Sequence, residues 1–231
     1  MSNPEPKTIA TSAPLHGSEA VSSWVARWAH LVPAGATVLD LACGLGRHAV
    51  YFSKLNHPIT AVDIAQAAID NVAARLPASA RLVVADIENA PWPLTGSTGA
   101  PLQFGAVVVT NYLWRPLLPT IVASLAPGGV LIYETFAHGN ASVGKPSRPD
   151  FLLQPGELLR ACAGLRVVAY EDGFCAAPER FVQRIVAVRE TAGGADSAPL
   201  PSTVAPMDSA AHQKLANPAS IAPPRYPLAA P

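Results

Sequence analysis

The sequence predicts an α/β fold, a Rossmann-like three-layer sandwich built on a mostly parallel sheet, and three observations carry that prediction. Short branched apolar runs alternate with amphipathic stretches between residues 18 and 190; the first run leads into a glycine turn, "LDLACGLGRHA"; and aspartate closes three successive runs, at Asp40, Asp63 and Asp86. Such alternation is what a parallel sheet produces, because every crossover helix must cover one of its faces.

The elements follow in order. In residues 18–32, Val21, Trp24, Val25, Trp28 and Leu31 stand at the spacing of one helix face, with Ser18 as the cap and Pro33 and Gly35 as the stop. Residues 37–42, "TVLDLA", are short, branched and bounded by a turn, as a buried parallel strand is, and residues 46–55 suit a helix. The unit repeats: strand 58–64, helix 65–76, strand 81–87. After a loop rich in proline and glycine come strand 104–113, helix 115–125 despite Pro119, and strand 128–136. A long loop leads to a helix starting at Pro155, and two strand-like runs, 165–174 and 180–190, predict a closing antiparallel hairpin.

At 231 residues, half of them apolar, the chain can bury one full core. Residues 1–17 and 191–231 are rich in alanine, proline and serine and poor in large apolar residues, so they read as a flexible leading segment and a disordered tail around a domain at 18–190. Lysine plus arginine equals aspartate plus glutamate at 16 each, without a basic run, so nothing points to nucleic acid as a partner. The three cysteines, Cys43, Cys162 and Cys175, lie far apart with no C-x-x-C spacing, which argues against a disulfide framework and against a metal site. The start lacks the apolar stretch of a signal peptide, and no apolar run approaches the roughly 18 residues of a membrane span. A soluble, cytoplasmic protein is expected.

Gly44, Gly46 and Ala49 satisfy the G-x-G-x-x-G/A fingerprint of dinucleotide sites, so a nicotinamide-dependent oxidoreductase is one reading. Asp40 speaks against it. A carboxylate beside the turn repels a pyrophosphate by about 1 to 4 kcal/mol at contact distance, whereas it attracts the sulfonium and ammonium of S-adenosylmethionine. Asp63, at the end of the second strand, suits both ribose hydroxyls. Asp86, after the third, suits an adenine amino group, with Ile64 and Ile87 as walls for the ring; singly, each aspartate reads equally well as a cap or a solvated loop residue.

Together "VLDLACGLGRHA", "AVDI", "VVADIE", "VVVTNYL" and "LAPGGVLIYETF" resemble the ordered motifs of class I S-adenosylmethionine-dependent methyltransferases. The resemblance implies a seven-stranded sheet of order 3-2-1-4-5-7-6 with strand 7 antiparallel, S-adenosyl-L-methionine as cofactor, and methyl transfer to a small-molecule acceptor. It implies donor contacts from Asp40, Ala42, Gly44, Gly46, Asp63, Ile64, Asp86, Ile87 and Asn111, although the family usually has glycine where this chain has Ala42. Tyr112 falls where this fold places substrate, and "TNYLW" departs from the pattern of enzymes that methylate exocyclic amines. The loop at 134–159 reads as a lid or pocket wall, similar to the tellurite-resistance branch, with His138 and Arg148 as substrate candidates and Lys145 as a second cation. His48 and Cys43 read as packing residues rather than catalysts, and no general base is implied, since methyl transfer needs positioning and exclusion of water more than proton transfer. A non-catalytic regulator on the same fold is the third reading.

Overall fold

The computed structural model describes residues 20–191; Ser18 and the segments expected at 1–17 and beyond 191 lie outside them. Strands β1 (Val38–Leu41), β2 (Ile59–Asp63), β3 (Arg81–Val84), β4 (Phe104–Thr110), β5 (Leu125–Phe136), β6 (Arg166–Ala176) and β7 (Glu179–Val188) form one sheet of order β3-β2-β1-β4-β5-β7-β6. β1 to β5 pair in parallel, and β7 lies antiparallel between β5 and β6. The order and the closing hairpin are those the sequence implies.

Helices cover both faces. α1 (Ser23–Trp28), α2 (Arg47–Lys54) and α3 (Gln66–Ala73) bury Trp24, Val25, Phe52, Ile69 and Val72 against Val38, Ala61, Val108 and Ile132 on one side. α4 (Leu118–Ala123) and α5 (Glu157–Ala161) bury Ile121 and Leu158 against Leu39, Leu41, Val107 and Leu131 on the other. Strands buried on both faces have little reason to alternate polar and apolar residues, which is why β1, β4 and β5 read as continuous apolar runs.

Several boundaries differ from expectation, β3 and β4 ending three residues early among them, and three of the differences have a plain physical reason. The first helix is only six residues long and gives way to a 3-10 turn at Ala29–Leu31, and its cap is Ser22, whose Oγ accepts from Trp24 N–H. Pro119 does not break the helix expected at 115–125, because a 3-10 turn at Arg115–Leu117 precedes α4 and puts the proline in α4's first turn, where no N–H is needed. β5 begins at Leu125, three residues early, since Leu125 pairs with Phe104 before Ala106 takes up Val130. Gly46 is dictated by packing: it turns at φ +71°, and an added Cβ would stand 2.5 Å from Val72 Cγ2.

Candidate functional site

A cavity of about 970 Å³ opens at the carboxyl ends of β1, β2, β4 and β5, where ligands bind in open α/β sheets. Its walls include Ala42 and Gly44 of the glycine turn, Asp63, Asn111 and Tyr112 after β4, and Lys145, Pro146 and Phe151 of the loop after β5. Both non-glycine residues that bring backbone to this cavity in the left-handed region, Ala42 at φ +51° and Asn111 at φ +55°, pay in local strain of roughly 1 kcal/mol or more for that approach. The methyl group at Ala42 is therefore tolerated at some cost, in the conformation that favours glycine.

Asp63 is fixed at the cavity from two sides. Its Oδ2 accepts from Gly44 N–H at 2.8 Å and its Oδ1 from Ala65 N–H at 2.9 Å, which leaves each oxygen a lone pair for a ligand. Ile64, between cavity residues Asp63 and Ala65, is 65% exposed, an uncovered apolar side chain at the rim.

Asp40 lies elsewhere than its charge suggests. It shares the α2 face of β1 with Val38, is 2% exposed, does not line the cavity, and accepts from Ala49 N–H at 2.8 Å. Burial pushes its pKa from 3.8 to about 7, with the Ala49 hydrogen bond and the Arg47 charge opposing. The unfolded chain releases this proton near pH 4 and the folded chain near pH 7, so Asp40 lowers stability progressively as pH rises through that window. Asp40→Asn, which keeps an acceptor for Ala49, is expected to be more stable than the parent at pH 8 and close to it at pH 4 in urea denaturation; equal stability at both would refute this.

The remaining positions divide. Asp86 is outside the cavity wall: its Oδ1 accepts from Glu88 and Asn89 N–H at 3.0 Å, and the Asn89 side chain first among these holds its pKa below the usual carboxylate range. Ile87 packs against the core and Gly46 lies behind the wall. Of the substrate candidates, Tyr112 lines the cavity; its hydroxyl is buried near the Glu88 carboxylate, and desolvation followed by the Glu88 charge pushes its pKa up, so it stays neutral. His138 is exposed and away from the wall. Arg148 pairs with Asp150 at 2.7 Å and lies over Phe151, also off the wall. Cys43 does line it, but burial pushes its thiol up, away from nucleophilic thiolate.

The loop after β5 is a braced wall. Asn140 donates to Pro146 O and accepts from Phe181 N–H, and Arg115 holds the far end through Asp150 O, Leu152 O and Glu157. Several residues of the wall were not singled out by sequence reasoning, among them Arg47, Asn71, Glu88, Thr110 and Thr135. Arg47 stands inside "CGLGRHA", so its signal was available; Asn71 and Thr110 resemble ordinary helix and strand residues.

Residues 38–129 match the family described as methyltransferase domain. That stretch of the chain is a methyltransferase domain. A stretch of 110 residues is 31% identical to malonyl-[acyl-carrier protein] O-methyltransferase of Serratia marcescens, covering 46% of this chain and 40% of that protein, so the match spans well under half the length of that relative. Among solved structures it is similar to a TehB-like SAM-dependent methyltransferase from Corynebacterium glutamicum, at 21% identity and TM-score 0.53 over 75% of this chain and 90% of that one. It is also similar to TehB from Haemophilus influenzae, at 19% identity and TM-score 0.55 over 73% of this chain and 61% of that one. These likenesses bear out the methyltransferase fold, including the antiparallel β7. Among the described residues no helix is long and apolar enough to cross a membrane, and no cluster of His, Cys, Asp or Glu has the makings of a metal site.

Proposed function

We propose that this methyltransferase moves a methyl group from S-adenosyl-L-methionine to a small-molecule acceptor, in the cytoplasm. One observation carries the choice of donor. The three amides that a dinucleotide fingerprint would aim at pyrophosphate are already committed: Gly44 N–H donates to Asp63, Gly46 N–H to Cys43 O, and Ala49 N–H to Asp40. A turn whose amides are committed to internal acceptors, two of them carboxylates, is a poor cradle for a doubly charged anion. It still brings backbone close to a ligand, as the sulfur end of the donor requires.

In this reading Asp63 accepts from the ribose hydroxyls, Ile64 covers one face of the adenine, and Ala42, Gly44 and Asn111 bring backbone to the methionyl portion. Bound there, the donor supplies an activated methyl carbon. The protein's own task is to position an acceptor and keep water out. Phe136, Pro146 and Phe151 offer apolar wall, and the Tyr112 hydroxyl and the Lys145 ammonium offer a polar contact and a positive charge to the acceptor. At about 970 Å³ the cavity lies at the upper end of the range for ligand pockets, roughly 300–1,000 Å³, which leaves room for donor and acceptor together.

Titration calorimetry with S-adenosylhomocysteine and with NAD tests the donor. Binding of the first and not the second is expected. Binding of NAD alone would establish the nicotinamide reading instead.

A further inference from the structure

His48 is 1% exposed and bridges three elements at the edge of the cavity. Its Nε2 stands 3.3 Å from the backbone nitrogen of Ser22. A backbone N–H only donates, so Nε2 is the nitrogen with the lone pair. Burial lowers the imidazole pKa to about 3, so the ring is neutral and its one proton sits on Nδ1. Nδ1 lies 3.4 Å from Thr110 Oγ1, and with this tautomer the ring donates to the hydroxyl. The threonine's own proton is then left for another acceptor, and Thr110 lines the cavity together with Arg47, the neighbour of His48 in the chain. The donor's amino-acid end carries a carboxylate. Gly44, Gly46 and Ala49 N–H are already committed, which gives the side-chain donors of the wall a part in holding it.

We infer that His48 is a positioning residue: with its tautomer set by Ser22, it makes the Thr110 hydroxyl a hydrogen-bond donor to the carboxylate of the methyl donor, beside Arg47. This rests on the donor proposed above and adds to it a relay from the start of α1, through α2, to the end of β4.

The test compares S-adenosylhomocysteine with 5′-methylthioadenosine, which lacks the amino-acid end, by titration calorimetry on the full chain. Thr110→Val and His48→Leu should each weaken the first by about tenfold and leave the second within about twofold. The double substitution should be no worse than the more severe single one, because both remove the same donor. His48→Gln should restore affinity, since its amide oxygen accepts from Ser22 and its nitrogen donates to Thr110. If His48→Leu does not fold, Thr110→Val and His48→Gln carry the comparison. Equal weakening of both ligands, or full affinity for S-adenosylhomocysteine in Thr110→Val, would overturn the inference while leaving the donor reading intact. Parent protein that binds neither ligand would overturn both.

Discussion

Replacing Arg184 by methionine is expected to lower stability by about 3 to 5 kcal/mol, read as a shift of the urea midpoint, because it strands a carboxylate in the protein interior. Glu134 on β5 is 1% exposed and Arg184 on β7 6% exposed, and the two face each other across the antiparallel ladder. Arg184 Nε donates to Glu134, its Nη1 donates to Glu171 at 3.0 Å, and its guanidinium lies 5.9 Å from the centre of the Trp24 ring. Without it, Glu134 keeps the Ser22 hydroxyl at 3.0 Å and Arg180 at 4.0 Å, too little to replace a direct ion pair. Adding Glu134→Gln to Arg184→Met should recover a large part of the loss, since removing both charges is far less costly than removing one. A single substitution costing under about 1 kcal/mol would mean that water reaches the pair.

This pair also ties α1 to the sheet. Ser22 caps α1 with its hydroxyl oxygen, donates that hydroxyl's proton to Glu134, and gives its N–H to His48. The start of the first helix is thus held by β5 and α2 at the end of the sheet where the cavity opens. Weakening the pair should therefore loosen a neighbour of the binding site as well as the core.

The alternation of strands and helices was legible because each strand is a short branched run and each crossover helix leaves its stripe of apolar residues, whereas the order of the strands was legible only through the family resemblance. The direction of individual side chains was not. Asp40 sits in a strand buried on both faces, where nothing alternates, so its position beside the turn was readable while its orientation beneath α2 was not. The turn disfavours an anion through its committed amides rather than through an exposed Asp40, and only the folded chain reveals those partners. His138 and Arg148 failed to reach the wall for a related reason. Loop sequence gives no periodicity, and the bracing by Asn140 and Arg115 decides which of its residues face inward. The Glu134–Arg184 pair did leave a trace, opposite charges inside two largely apolar runs, but only the β5–β7 register brings them together.

Asp63→Ala should weaken S-adenosylhomocysteine binding by about a hundredfold or more while moving the melting temperature little. Two effects add. The substitution removes the acceptor proposed for both ribose hydroxyls, where a hydrogen bond to a charged group contributes about 1.5 to 3 kcal/mol. It also frees Gly44 N–H and Ala65 N–H, the two contacts that fix the wall at the first turn and the rim, so the backbone that approaches the donor loses its brace. The site is partly open to solvent, and water can satisfy the freed amides, which keeps the cost to folding small. Asp63→Asn separates the two effects. Its oxygen serves only one of the two amides, and its NH2 group turns donor against donor at the other, so it should bind almost as poorly as alanine despite its shape. Affinity within about threefold of the parent in both variants would place the ribose elsewhere in the cavity and remove Asp63 from the donor site.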